Sequence, residues 1–140
     1  MFKIISSLAL ALMLISGSAY SKGINITEQH LDGTTMNYFY QSGAGIEFKI
    51  HDGMVDYIWL TGKKKGNGNK NVPYRSRKIG NKMYIVNWIE ESKNDFITLV
   101  FNFENNVMYS SGIMRFDKES PMTVFDGGII QDLVLVEKQP

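Results

Sequence analysis

Three pairs of side chains in this chain have both the chemistry and the spacing to act together. Tyr38 and Tyr40 are two residues apart, so on an extended strand both hydroxyls project to one face. Arg75 and Arg77 repeat that geometry with guanidinium groups, and Trp88 and Glu90 repeat it with an indole and a carboxylate. Tyrosines and an arginine hold a carboxylate or phenolate by charge-assisted hydrogen bonds. A glutamate beside a large apolar ring is partly desolvated, which raises its pKa and suits it to proton transfer. Taken singly, each pair has a plainer reading: aromatic core, solvated edge, rim charge. Taken together they outline a site, and the question becomes which elements bring them to one place.

The run Met83 to Glu90 is the clearest element. Tyr84, Val86, Trp88 and Glu90 share one face, with Met83, Ile85, Asn87 and Ile89 on the other. Both faces are largely apolar, so the strand is expected to be covered on both sides. Short alternating runs surround it: Met36 to Tyr40, Ile46 to Ile50, Val55 to Leu60, Tyr74 to Ile79, Phe96 to Phe103, Val107 to Phe116, Met122 to Phe125 and Ile129 to Glu137. Turn signals separate them, among them Asp52-Gly53 and Asp126-Gly127-Gly128. The stretch Gly62 to Asn71 is read as a basic, Gly/Asn-rich loop and lacks the Gly-Lys-Ser/Thr ending of a phosphate-binding loop.

No stretch of the mature chain has helical periodicity. Eight or nine short strands joined by tight turns form an antiparallel meander, and closing it removes the exposed edges of so large a sheet. The expected fold is all-β: a small up-and-down, lipocalin-like (calycin) barrel of about eight strands, wide enough for one small ligand. A β-sandwich is the alternative.

The 140 residues suit one domain. Residues 1–21 carry Lys3, an apolar run from Leu8 to Ile15 and a small-residue stretch, the layout of a bacterial secretory signal peptide. The apolar run is shorter than the about 20 residues that span a bilayer. The protein is therefore read as exported, periplasmic or secreted, with a loose lead-in over 22–33 and the barrel over 34–140. Loss of Lys3 takes the formal charge from +1 to 0, too little basic excess for a nucleic-acid binder. No cysteine and two histidines argue against disulfides and a zinc site, and no cofactor is expected. With 44% hydrophobic residues, core packing can hold the fold alone.

Tyr38-Phe39-Tyr40 followed by Gly43, then Val55-Asp56-Tyr57, Trp88-Ile89-Glu90 and the Phe-rich strand after Asp95 resemble the phenolic acid decarboxylases. With Pro73-Tyr74-Arg75-Ser76-Arg77-Lys78-Ile79 and Val124-Phe125-Asp126-Gly127-Gly128, the chain is similar, more fully, to the family of molybdenum cofactor biosynthesis protein F (MoaF), whose domains are lipocalin-like. The resemblance covers roughly residues 34–135. The decarboxylase likeness implies a cofactor-free reaction on a 4-hydroxycinnamic acid. In it Tyr38, Tyr40 and Arg75 or Arg77 hold the substrate, and Glu90 protonates the alkene carbon before carbon dioxide leaves. The basic segment before the arginines is longer than that family's, and its C-terminal extension is missing. The MoaF likeness implies a link to molybdenum cofactor, yet no residues here read as a pterin or molybdenum site.

Three functions follow as expectations. The first is a barrel binding a small aromatic or amphipathic acid, with Tyr38, Tyr40, Tyr57 and Trp88 around the ligand. The second is a carboxy-lyase using Glu90 as proton donor. The third is a structural or protein-interaction module.

Overall fold

Alternation of apolar and polar residues, broken at Asn, Asp and Gly, makes the strands short and their connections tight. The computed structural model describes residues 30–138. The strands are β1 (Thr35–Tyr40), β2 (Gly45–His51), β3 (Met54–Trp59), β4 (Gly68–Gly80), β5 (Met83–Glu90), β6 (Asp95–Asn102), β7 (Val107–Met114) and β8 (Met122–Val134). Each pairs antiparallel with the next, and β8 pairs with β1, so the sheet closes into an eight-stranded barrel rather than a sandwich. Left-handed backbone at Asp52 and Gly53 makes the β2–β3 hairpin, and Lys82, Asn94 and Asn106 adopt the same conformation in three later turns.

Inside, the side chains fall into a filled end and a hollow one. Phe48, Leu99 and Phe101 are fully buried in the middle, with Phe48 and Phe101 rings 5.9 Å apart. Below them Met36, Ile50, Val55, Tyr84 and Met108 fill the barrel, and Leu31 and Thr34 close it. The Thr34 hydroxyl donates to the Val136 carbonyl and accepts from the Val136 N–H, tying the segment before β1 to the one after β8. Asp32 accepts from the Gly53 N–H at 3.0 Å and from the Tyr74 hydroxyl at 2.9 Å, with the Lys138 ammonium at 3.4 Å.

Several expectations are corrected here. Residues 30–33 are not a loose lead-in but a packed plug; the rest of the lead-in and the signal reading of residues 1–21 lie outside the described residues. Asp126-Gly127-Gly128 is not a turn, because β8 runs straight through it. Gly128 pairs with Tyr40, and a Cβ there would stand 2.4 Å from the Phe39 carbonyl oxygen, so glycine serves the close approach of β1. The basic loop ends sooner than expected, since β4 starts at Gly68. β5 is covered on one face only: Met83, Ile85 and Asn87 are half-buried outside and Ile89 is exposed. A single-walled barrel leaves outward apolar residues facing solvent.

Candidate functional site

The hollow end is a cavity of about 720 Å³. Its apolar wall follows from strand parity: Tyr38 and Tyr40 from β1, Tyr57 and Trp59 from β3, Trp88 from β5 and Ile97 from β6 all point inward. The rings are ordered against one another. Tyr38 meets Tyr40 edge-on at 5.5 Å between centroids, Tyr40 stacks with Trp59 at 6.3 Å, and Tyr57 lies 6.5 Å from Trp88. Trp88 is 5% exposed, and its indole N–H has no hydrogen-bond partner among the described residues.

Glu90, at the end of β5, is 3% exposed and anchors a polar cluster on this wall. Its Oε1 accepts from the Tyr57 hydroxyl at 2.6 Å and the Asn69 amide at 3.0 Å, with the Lys93 ammonium at 2.8 Å. Lys93 also donates to the Tyr57 hydroxyl at 2.9 Å and lies over its ring. Burial pushes the Glu90 carboxyl up, but Lys93, Tyr57 and Asn69 together outweigh it and hold the group below the usual carboxylate range. This reverses the raised pKa expected from Trp88 alone. The turn after β5 supplies a cation three residues on, which the strand pattern did not count. The same cluster, after burial itself, keeps the Tyr57 hydroxyl protonated far above neutral pH. Burial likewise raises Tyr38 and Tyr40, so both are neutral hydroxyls.

A second polar cluster faces the first. Ser110 on β7 pairs directly with Asp126 on β8, and the Tyr40 hydroxyl on β1 lies near Ser110, Tyr38 and Asp126. Asp126 accepts from the N–H of its own neighbour Gly127 at 2.7 Å. Asp95, opposite Glu90 in the β5–β6 register, lines the mouth and accepts from the Arg115 N–H. Lys64, on the β3–β4 loop, reaches back over Trp59, its ammonium 5.0 Å from the ring centroid.

Five of the sequence-predicted site residues therefore come together: Tyr38, Tyr40, Tyr57, Trp88 and Glu90 all line the cavity. The arginines do not. Tyr74 and Ser76 take the inward positions of β4, so Arg75 and Arg77 point outward, where the Arg75 Nε donates to Asn87 on the outer face of β5. Equal parity fixes that two residues share a face, and says nothing about which face. The inward pair could have been found from Tyr74, the aromatic member of the alternative set.

Five further residues escaped the sequence reading. Trp59 follows Tyr57 by two, a signal present in the alternation. Lys93 follows Glu90 by three across a tight turn. Lys64 and Asn69 sat in a segment read as loop. Asn69 reaches the interior because Asn71, with left-handed backbone, lies at a register shift between β3 and β4 that changes which residues point inward. Asp126 stands in an Asp-Gly-Gly run with the composition of a turn, which hides its place on a strand.

An antiparallel eight-stranded barrel, plugged at one end and hollow at the other, is a lipocalin-type architecture. The chain belongs to the MoaF-like family, whose profile matches residues 28–127. Among solved structures it is similar to a protein from Burkholderia vietnamiensis named, provisionally, a beta-lactamase. The two share 17% identity with a TM-score of 0.62, over 74% of this chain and 94% of that one, a likeness of fold. No curated protein matches the chain. The chain has no cysteine, and the described residues contain no group of three His, Asp or Glu placed to hold a metal.

Proposed function

We propose that this protein is a small-molecule-binding barrel, exported by the segment 1–21, whose ligand is a compact aromatic or amphipathic molecule held at the hollow end. The observation that carries this reading is the cavity itself: about 720 Å³, within the range of ligand pockets, walled by five aromatic side chains. Rings standing at ordered angles around an open volume present π faces and edges that a flat guest can complete. The unpartnered Trp88 N–H adds a buried donor whose desolvation is not yet offset. The acid expected from the sequence loses the arginines that were to hold it, leaving Lys64 as the cation in the cavity with no carboxylate partner among the described residues.

Both tryptophans of the chain line the cavity, so intrinsic fluorescence reports on it directly. Titration with a panel of small aromatics is expected to change the emission saturably. Replacing Ala44, a small residue of the wall, with Trp is expected to fill the space and abolish the response without unfolding the barrel. A panel that leaves emission unchanged at millimolar concentration refutes the reading.

The lyase reading retains one observation: Tyr38, Tyr40 and Glu90 share the cavity. Against it stand the absent arginine and a Glu90 held ionised, the wrong state for a proton donor. Loss of cinnamate absorbance on incubation with p-coumarate, abolished in Glu90→Gln, would restore it.

A further inference from the structure

We infer that the ligand is a cation: a small molecule with a protonated amine on an apolar, aromatic body, its ammonium received between Asp126 and the Tyr40–Trp59 rings. This rests on the small-molecule reading above and names the head group that reading leaves open.

The first support is charge. Glu90, Asp95 and Asp126 line the cavity against Lys64 and Lys93, so the wall carries a formal charge of 2 − 3 = −1. The three carboxylates are not equally satisfied. Glu90 has Lys93 and two neutral donors, and Asp95 has the Arg115 N–H at 2.8 Å. Asp126, half-buried, has the N–H of the residue next to it and no cation among the described residues. A carboxylate drawn into an apolar cavity is costly unless a partner replaces its water. A ligand ammonium is that partner, and Ser110 and Tyr40 beside it supply hydroxyl oxygens as further acceptors.

The second support is independent of charge. The aromatic wall already accepts ammonium groups, since Lys64 lies 5.0 Å from the Trp59 centroid and Lys93 5.4 Å from that of Tyr57. Lys93 is committed to Glu90. Lys64 has no such bond, and it stands where a ligand cation would stand, over the ring that stacks on Tyr40. It behaves as a tethered stand-in that a free amine displaces by side-chain rotation alone. An anion, in contrast, would enter a wall of net negative charge and find one unpaired lysine and no arginine.

Three probes of matched shape separate the possibilities: 2-phenylethylamine, 2-phenylethanol and 3-phenylpropionate, titrated against the full mature protein by calorimetry and tryptophan fluorescence. The amine is expected to bind at least tenfold tighter than the alcohol, and the acid most weakly. Asp126→Asn is expected to weaken the amine about tenfold and leave the alcohol unchanged. Lys64→Met is expected to strengthen the amine severalfold, because its internal competitor is gone. Equal binding of all three overturns the amine inference and leaves the binding barrel standing, whereas binding of none overturns both. An acid that binds tightest in the wild type and is lost in Lys64→Met reverses the inference outright. The wild-type ranking needs no variant, so a failure of Asp126→Asn to fold leaves the test intact.

Discussion

The two ends of this barrel are built from the same strands and the same alternation, yet one is filled and the other is not. At the filled end the segments just before β1 and just after β8 close the barrel. Leu31 is fully buried, Thr34 clasps Val136, and Asp32 gathers a backbone N–H, a tyrosine and a lysine. At the hollow end large rings stand around the wall and leave the axis open. The polar groups differ in the same way. Asp32 is tied to backbone and hydroxyl donors that fix the chain, whereas Asp126 faces a space. Packing is concentrated where the barrel is plugged, and open volume where it is not.

The largest test of that division compares two aromatic truncations. Phe48 is fully buried between Tyr38, Trp88 and Phe101, so Phe48→Ala is expected to cost about 3–5 kcal/mol in urea unfolding. Trp59 is only partly buried and borders space already empty. Trp59→Ala is expected to cost about 1 kcal/mol while removing ligand binding, since less packing is there to lose. Equal costs at the two positions would mean that the hollow end is as much core as the filled one.

Next in size is the clamp at the plugged end. Asp32→Ala leaves the Gly53 N–H and the Tyr74 hydroxyl without their acceptor, about 1–3 kcal/mol of unfolding free energy. Tyr74→Phe removes one of the stranded donors, so the double variant is expected to be less destabilised than the sum of the singles. Strict additivity would show that the pair is not coupled.

Much of this was legible in the sequence, and the parts that were not share a cause. Strand alternation placed Tyr38, Tyr40, Tyr57, Trp88 and Glu90 on common faces, and the meander of short strands implied closure. Alternation is blind to which face is inside, so Arg75 and Arg77 were carried inward in place of Tyr74 and Ser76. It also assumes an unbroken register, so the shift beside Asn71 hid Asn69. Gly127 and Gly128 have the composition of a turn, and only the nearness of β7 to the first and of β1 to the second shows why a strand needs them. Charge partners made across turns, such as Lys93 to Glu90, lie outside any strand pattern and set the pKa that the pattern misjudged.

Glu90 gives the third prediction, at the hollow end. Its carboxyl is lower in the folded protein than in the unfolded chain, whose value is about 4.3. Its contribution is therefore present above that pH and lost as pH falls through the folded value. Wild type and Glu90→Gln, unfolded in urea at a series of pH values, are expected to differ by about 1 kcal/mol at pH 7 and to converge as pH falls from about 4.3 through the folded value. Convergence on raising the pH instead would mean a raised carboxyl, and would revive the proton-donor role.

The smallest effect is expected on the solvated rim of the plugged end, at the β2–β3 hairpin. His51 Nδ1 is 3.4 Å from Asp52 Oδ2, and its Nε2 is 3.0 Å from Asp56 Oδ1, an approach too oblique for an aligned hydrogen bond. Asp56 in turn accepts from the Asn71 N–H and has Lys70 nearby, which tempers its pull on the ring. The two carboxylates, Asp56 first, raise the imidazole above its usual value. A raised folded pKa gives stability that is complete below the unfolded value of about 6.5 and disappears as pH climbs through the folded one. His51 is more than a third exposed, so solvent screens the pair and holds its worth to about half a kcal/mol. His51→Gln is thus expected to be slightly less stable than wild type at about pH 5.5 and indistinguishable from it at about pH 8.5. A difference that grows with pH would place the stabilising form of His51 as the neutral ring, and would put that ring in the packed end rather than on its solvated rim.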